Sequence, residues 1–324
     1  NFPQMGRHEI ITGAGYRLTY DDLEDSDSVM VSPDSRTDHQ LSFFAQDKIT
    51  ITDQVLLTLG SKFEHNDYSG VEVQPNARLQ YHPDPSQMVW ASVSRAVRTP
   101  SRLEHDFNQN AAILPGPTLA YLVANPDFKS EELIAYEAGY RKQIRSNLSF
   151  DIAAFYNDYD NLATIGFLTP APGEFPVQTI NGMTAETYGI EIASTWNVTD
   201  NFQLTGSYSF INIDQHVEND GGFDLETAEG QSPRHRANMR GSWNITDTVS
   251  LDTSVYYVDE LPQDDVDNNI RLDLNLGWQI DDHVRANLIG QNLLEDTHRE
   301  FSSPTSLNAA EVQRSVFGKI TWKF

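Results

Sequence analysis

The sequence contains no cysteine and few basic residues, with 22 Lys and Arg against 47 Asp and Glu in 324 residues. Without cysteine there are no disulfide bridges and no thiolate metal sites. The net charge of −25 argues against nucleic-acid binding, which needs a basic face. Motifs of hydrolases, zinc proteases and nucleotide-binding loops are missing, and the nine histidines show no metal-ligating spacing. The composition therefore favours a protein that is not an enzyme, with no cofactor and no metal.

Long apolar runs are missing as well. No segment approaches the roughly 18–20 consecutive apolar residues of a transmembrane helix, which excludes a helical membrane protein. A transmembrane β-strand needs only about 9–11 residues with every second one apolar. A chain with 39% hydrophobic residues and a mean hydropathy of −0.48 is therefore still compatible with a membrane β-barrel.

The dominant pattern in the sequence is an alternation of apolar and polar residues with period two. In residues 270–280, Ile, Leu and Trp side chains occupy one face and Arg271, Asp273 and Asn275 the other. Such segments predict about fourteen antiparallel strands in a single all-β domain over residues 1–324. The predicted strands cover residues 9–20, 38–51, 55–69, 71–82, 87–99, 131–144, 148–165, 182–198, 202–215, 234–245, 249–260, 269–280, 283–293 and 312–324.

The connections between these strands alternate between short turns and longer polar loops. The long loops fall at 21–37, 100–130, 166–181, 216–233 and 294–311. This asymmetry is typical of an up-and-down outer-membrane barrel with periplasmic turns and extracellular loops. A soluble β-sandwich also alternates, but the predicted strands are longer than the usual 5–6 residues of soluble sheets.

A small motif recurs at the short turns: "WNVTDN" at 196–201, "WNITDT" at 243–248 and "WQIDDH" at 278–283. The acidic residues suit tight turns. The tryptophans share the apolar parity of their strands, as does a fourth near the C-terminus. Because tryptophan settles at the headgroup level, we predict that these residues mark one membrane interface. They are Trp196, Trp243, Trp278 and Trp322.

Several segments resemble TonB-dependent outer-membrane receptors. They include "VWASVSRAVRTPS" (89–101), "FKSEELIAYEAGYRKQI" (128–144), "LIGQNLLEDTHREF" (288–301) and the terminal "RSVFGKITWKF" (314–324). The resemblance covers most of the chain. It implies a barrel of 22 strands filled by an N-terminal plug. We therefore expect this chain to be the C-terminal part of such a barrel, with about eight strands and the plug lying upstream.

The resemblance also implies a function. It is the uptake, energised by TonB, of a scarce ligand such as a ferric siderophore across the outer membrane of a Gram-negative bacterium. The implied partners are outer-membrane lipid and lipopolysaccharide, the plug, TonB, the barrel-assembly machinery and an iron complex. Two alternatives stay open at this point: a passive porin of fourteen strands, and a barrel that serves as a surface adhesin or phage receptor. If the strands form an open arc, bare edges should prevent stable insertion of this segment alone.

A set of charged residues is expected to face the lumen, because the opposite parity of their strands is apolar. These residues could contact an anionic ligand or plug carboxylates, or could simply form a solvated barrel wall with charge pairs between strands. Among three arginines of strand 234–245, Arg240 lies deepest and is the expected plug partner. The candidates are Arg98, Arg102, Glu137, Arg141, Arg234, Arg236 and Arg240.

Two further features concern the loops and the C-terminus. The acidic segment 259–269 carries Asp264, Asp265 and Asp267 but lacks the glycine and distal glutamate of an EF-hand loop, so it is interpreted as a solvated loop. The terminal strand ends in an apolar and aromatic pattern that resembles the signal read by the barrel-assembly machinery. That pattern comprises Val316, Ile320, Trp322 and Phe324.

Overall fold

The fold is a nearly all-β arrangement, seen in a computed structural model that describes residues 5–114, 118–217, 226, 228–301 and 311–324. Two short helices, α1 (Arg102–Asp106) and α2 (Ala228–Gln231), and a 3-10 turn at Pro262–Asp264 lie between strands. None of the described helices is long and apolar enough to cross a membrane. The strands are β1 (His8–Asp22), β2 (Val29–Val31), β3 (Ser35–Thr52), β4 (Val55–Asn66), β5 (Gly70–Asp84), β6 (Gln87–Arg98), β7 (Phe107–Leu114), β8 (Thr118–Val123), β9 (Glu131–Arg145), β10 (Leu148–Phe167), β11 (Glu174–Thr199), β12 (Phe202–Val217), β13 (His235–Asn244), β14 (Val249–Val258), β15 (Asn269–Gln279), β16 (Val284–Gln291), β17 (Thr297–Arg299), β18 (Glu311–Gln313) and β19 (Ser315–Trp322).

Fourteen of these strands form one antiparallel succession in which each pairs with the next long strand along the chain. The order is β1, β3, β4, β5, β6, β9 to β16 and β19. This confirms the up-and-down topology and the number of strands predicted from the alternation. In the described part of the chain no register joins β1 to β19, so the closed fourteen-strand porin is not observed.

The sheet has almost no dry interior. Among the described residues only five apolar side chains are buried, all of them in or beside the long loops. Large apolar side chains of the long strands are exposed instead: Leu18 is 55% and Ile320 75% exposed. A soluble sandwich would bury one face of each sheet against a second layer. The exposed apolar face therefore identifies a wall that meets lipid. The five buried residues are Val31, Phe128, Ala185, Leu261 and Val266.

The recurring turn motif is explained by hydrogen bonds between hairpins at the rim formed by the short turns, here called the short-turn rim. The residue after each of the four outward tryptophans donates its backbone N–H to the carbonyl of the preceding short turn. The bonds run from Asn197 to Asn147 (2.8 Å), Asn244 to Asn201 (2.8 Å), Gln279 to Thr248 (2.8 Å) and Lys323 to His283 (2.9 Å). Equivalent bonds run from Thr50 to Arg7, His82 to Gln54 and Gln143 to Ser86.

Side chains reinforce this rim at two of the hairpins. Asn147 donates its amide to the carbonyl of Asn197 (2.9 Å), and Asn201 donates to the carbonyl of Asn244 (3.0 Å). These asparagines therefore act twice, as turn residues and as bridges to the next hairpin. The repeated motif is thus a structural repeat, one copy per hairpin, and not a repeated binding site.

The predicted long loops are more ordered than the sequence analysis anticipated. The segment predicted as a loop at 100–130 contains α1, β7 and β8, and β7 pairs with β2 from the 21–37 loop. β8 then runs parallel to the first residues of β11, which begins at Glu174 and not near residue 182. Short strands that pair only with other loops carry little alternation of their own, so single-sequence periodicity misses them.

We predict that the Asn201→Ala substitution weakens the short-turn rim, because it leaves the Asn244 carbonyl without its side-chain donor. The Asn201 side chain also accepts from the Thr199 hydroxyl (Oγ1–Oδ1 2.7 Å), so the variant loses two hydrogen bonds and the expected loss is about 2 kcal/mol, at about 1 kcal/mol for each. The folded and unfolded forms of the intact protein are separated by their heat-modifiable gel migration. The measurement is the urea concentration at which half of the protein is unfolded. Asn244→Ala is the matched control, since the Asn244 amide makes no hydrogen bond to the described residues. Equal midpoints for the two variants would contradict the prediction.

Candidate functional site

The inner face of β13 carries the arginines singled out from the sequence. Met239 and Trp243 are exposed on the outer face, so the opposite parity, with Arg236 and Arg240, points inward. Arg240 donates to Asp252 on β14 (Nη2–Oδ1 2.9 Å). Arg236 makes no ion pair with any described residue. Arg234, just before the strand, is likewise exposed and unpaired within the described chain.

The inward positions of β13 to β16 and β19 form a basic section of wall, here called the basic wall. Five basic side chains face two acidic ones, Asp252 and Asp273, although the chain as a whole carries a net charge of −25. The pairing of Arg271 with Asp273 (Nη2–Oδ2 2.6 Å) and of Arg240 with Asp252 leaves a local excess of positive charge. The five basic residues are Arg236, Arg240, Arg271, Arg285 and Lys319.

The two candidates on β9, Glu137 and Arg141, have the parity opposite to that of the exposed Tyr136, and they do not pair with each other. Arg141 forms an ion pair with Asp151 on β10. Glu137 accepts a hydrogen bond from Ser92 Oγ on β6 (2.9 Å). Each is therefore engaged by a neighbouring strand, as in a charge ladder along the wall.

Arg98 and Arg102 lie at the opposite rim, formed by the long loops and here called the long-loop rim. Arg98 donates to Glu131 (Nε–Oε2 2.6 Å) and to Glu104 (Nη1–Oε1 3.0 Å). The Arg102 side chain is only 9% exposed. It is surrounded by carboxylates and a backbone carbonyl of neighbouring loops, so it lies within the loop packing and not in the lumen. Its acceptors are Asp21, Asp106 and the carbonyl of Pro33.

The fold and its inward charges can now be set beside known proteins. The family model described as TonB dependent receptor-like, beta-barrel, matches residues 2–293. The chain belongs to this family of outer-membrane receptor barrels. It is 28% identical over 266 residues to the iron-regulated outer membrane virulence protein of Vibrio cholerae serotype O1, a match that covers 78% of this chain and 39% of that protein.

Solved structures share the fold of the receptor barrel. The ferric enterobactin receptor of Pseudomonas aeruginosa matches with a TM-score of 0.77 at 17% identity, over 98% of this chain and 51% of that one. The copper transporter OprC matches with a TM-score of 0.70 at 12% identity, over 99% of this chain and 56% of that one. The chain thus spans about half or less of the length of these proteins.

A cluster of charged and aromatic side chains at the long-loop rim of the receptor barrel was not anticipated from the sequence. We call Arg36, Asp38, Tyr68, Arg102 and Asp106 the α1 cluster. Arg36 donates to Asp38 (Nε–Oδ1 2.6 Å) and to Asp106 (Nη1–Oδ2 3.0 Å), and its guanidinium lies 4.2 Å from the Tyr68 ring centroid. Arg102 shares the Asp106 carboxylate (Nε–Oδ2 3.0 Å). The cluster joins the start of β3, the turn between β4 and β5, and α1, which are far apart in sequence.

Helix α1 is set by a capping box. Ser101 Oγ accepts from the N–H of Leu103 (3.2 Å), and the Glu104 carboxylate accepts from the N–H of Ser101 (2.9 Å). The Ser-x-x-Glu pattern at 101–104 is the sequence signal that could have revealed this helix. No apolar run follows this pattern, so a search for hydrophobic periodicity does not detect the helix.

The same contacts shift the pKa values of two groups at the long-loop rim, Glu104 and Tyr68. Burial opposes the charged form of Glu104, but hydrogen bonds from Ser101 and the Arg98 guanidinium outweigh it, so its pKa lies below the usual value. Burial and the hydrogen bond to Asp38 raise the pKa of Tyr68 above its usual value. The Glu104 carboxylate is therefore kept ionised and the Tyr68 phenol neutral.

The four tryptophans predicted at a membrane interface, Trp196, Trp243, Trp278 and Trp322, lie on the outer face and are 42–67% exposed. On β9 to β12, tyrosines occupy the outer face farther from the short-turn rim than the tryptophans. They are Tyr136, Tyr156, Tyr188 and Tyr208. Trp196 lies eight positions after Tyr188 along β11. In a tilted strand this spacing corresponds to a height of about 20 Å along the barrel axis, close to the height of a barrel's apolar band. Anchoring by the tryptophans remains a prediction.

The acidic loop between β14 and β15 was interpreted as solvated, with Asp264, Asp265 and Asp267 as its carboxylates. Asp264 ends the 3-10 turn, and Asp265 adopts a left-handed conformation with φ of 53°. No group of three acidic or histidine residues suited to a metal occurs among the residues that the structure describes.

We predict that loop 100–130 loosens in acid. A carboxyl whose pKa is lowered by folding stabilises the folded state above its unfolded value, about 4.3 for glutamate, and loses that contribution as the pH falls through the lower folded value. Hydrogen exchange of peptides from α1, corrected for intrinsic rate, should rise below about pH 4. Glu104→Gln should show increased exchange already at neutral pH. Glu260→Gln, which alters an exposed loop carboxylate that makes no hydrogen bond or ion pair in the described chain, is the control and should behave as wild type.

Proposed function

We propose that this chain forms the C-terminal barrel portion of a receptor that takes up an anionic iron complex of the ferric siderophore type, energised through TonB. The basic wall is the observation that supports this proposal. The iron-regulated Vibrio protein and the ferric enterobactin receptor, whose names concern iron, support the ligand class.

The charge distribution favours an anionic ligand over a cationic one. A chain with net charge −25 repels anions at long range, so an anion enters only where the local potential is reversed. Arg236 lies next to the first residue of β13, near the long-loop end, and Arg234 precedes it. Both are unpaired in the described structure, so neither must give up a carboxylate to receive a ligand.

The remaining partners belong to the same proposal. A plug inside the lumen would bind TonB and control passage of the ligand. Lipid would contact the exposed apolar face, and lipopolysaccharide would lie beside the long loops. Contact of the lumen candidates with either ligand or plug is part of this proposal. The geometry favours Arg234 and Arg236 for the ligand, because Arg98, Arg102, Arg141 and Arg240 already have carboxylate partners.

We predict that Arg236→Glu in the full-length receptor lowers the uptake of radiolabelled ferric enterobactin, used as the probe, by about tenfold. The physical reason is that an added carboxylate reverses the potential where the anion enters. Uptake is measured in iron-starved cells that lack other receptors, with and without TonB. Arg145→Glu, a charge reversal at a short turn, is the matched control.

Uptake that is independent of TonB would refute the energised mechanism. An Arg236→Glu variant that transports at the wild-type rate would refute the role of the basic wall. If ferric enterobactin is not transported, the wild type, Arg236→Glu and Arg145→Glu are compared for growth on a panel of other ferric siderophores.

We also predict that removal of Phe324 slows assembly of the barrel. Val316, Ile320 and Trp322 lie on the outer face of β19 and Phe324 is fully exposed, so all four are accessible to assembly machinery. Pulse-chase labelling followed by the heat-modifiable gel shift measures the rate. Lys323→Ala is the control. Equal assembly rates for the two variants would contradict the prediction.

A further inference from the structure

The fifth tryptophan, Trp90, differs from the other four because it faces inward. It alternates with Val89 and Ala91, which lie on the exposed outer face of β6. Its indole lies against Gly139 on β9, where a Cβ atom would come within 2.5 Å of the indole nitrogen. Glycine at this position therefore lets the ring lie flat against the wall, so that it does not project into the lumen.

Arg78 stacks on this ring from β5. Its guanidinium carbon lies 4.2 Å from the Trp90 ring centroid, within the range of a cation–π contact. Its Nε atom is shielded from solvent and has no hydrogen-bond partner. Within the described residues, no carboxylate lies within ion-pair distance of its guanidinium.

Three other inward arginines have aspartate partners, whereas Arg236 and Arg285 make no ion pair with the described residues but, unlike Arg78, have no shielded nitrogen without a hydrogen-bond partner. Arg141, Arg240 and Arg271 each pair with an aspartate on their own or the neighbouring strand. Two acidic residues at the level of Arg78 in the strand register are engaged elsewhere. Glu137, two strands away, accepts from Ser92 (2.9 Å), and Glu9, three strands away, pairs with Lys48 (3.5 Å). A shielded N–H donor without an acceptor, as at Arg78 Nε, is costly, so such a group in a native protein calls for a partner.

We propose that Arg78, held by Trp90, is a carboxylate-binding site for an acidic side chain of the polypeptide that fills the lumen. This inference rests on the proposed function, in which a plug occupies the barrel. It replaces Arg240 as the expected docking residue, because Asp252 already neutralises Arg240. The stacked guanidinium offers its two terminal nitrogens in a fixed plane, which suits bidentate binding of a carboxylate.

The position along the strand favours a polypeptide over the transported ligand. Trp90 is the fourth residue of β6, counted from the short-turn rim, whereas Arg236 lies at the long-loop end of β13. Arg78 itself lies just on the short-turn side of the middle of β5, so its site is deeper in the barrel wall than Arg236. An anion that enters from the long loops meets the basic wall first, and the Arg78 site remains for a group held permanently inside.

The test uses Arg78→Lys in the full-length receptor, treated in membranes with a water-soluble carbodiimide. The reagent activates a carboxylate, the introduced ε-amine attacks it, and an amide bond forms as the reagent leaves as its urea. Peptide mass spectrometry should find position 78 joined to an Asp or Glu outside residues 1–324. Arg240→Lys is the positive control, because Asp252 should join to it within the barrel.

Three outcomes would overturn the proposal: no modification at position 78 beside a successful Arg240→Lys control, a link from position 78 only to barrel carboxylates, or a small-molecule adduct there. The cross-link requires no transport, so its failure is distinguishable from failure of the proposed uptake. A second variant, Gly139→Val, keeps the charge but displaces Trp90. In the Arg78→Lys background it should abolish the cross-link, while the gel shift shows that the barrel still assembles.

Discussion

The structure depends on one constraint: in lipid, every backbone N–H and C=O must find its partner within the protein. The twelve long strands between β1 and β19 meet it by pairing on both edges, and the bonds at the short-turn rim extend that pairing to the last residue of each hairpin. Because the backbone is satisfied in the plane of the sheet, side chains are free to sort by face. The apolar face then needs no dry core, and only five apolar residues are buried among those described.

Sorting by face also produces the functional surface. Charged side chains cannot lie on the outer face without a large cost, so they accumulate inward or at the long-loop rim. Inward, most of them pair across neighbouring strands. Arg78 stands out among the inward basic residues without a described carboxylate partner, because its Nε atom is shielded and its guanidinium stacks on Trp90. Arg236 lies at the long-loop end of β13 and Arg78 lies deeper, just on the short-turn side of the middle of β5, which suits an entering ligand at one level and a resident polypeptide at the other.

The long loops follow a different rule, since they meet water and must be held by contacts of their own. The α1 cluster supplies these contacts through carboxylates and guanidiniums that are shared between loops. The β7–β8 hairpin extends the connection to β11. Local alternation does not encode such contacts, because each partner comes from a distant segment. The capping box at Ser101 and Glu104 was the one local sequence signal for helix α1, and a search for hydrophobic periodicity does not detect it.

The sequence by itself determined the fourteen long strands, their up-and-down order, the alternation of apolar and polar faces along them and the resemblance to a receptor family. Period-two alternation and turn chemistry are local properties, so they can be read without coordinates. Only the tertiary structure decided which charges are neutralised. Parity and loop position suggested that Arg240 and Arg102 were free to bind a ligand or the plug, but they form ion pairs with Asp252 and Asp106. Trp90 shares a residue type with the four outer tryptophans, but its role differs because strand register places Gly139 beside it and Arg78 above it. Pairing between strands far apart in sequence sets these relations, and no single segment contains them.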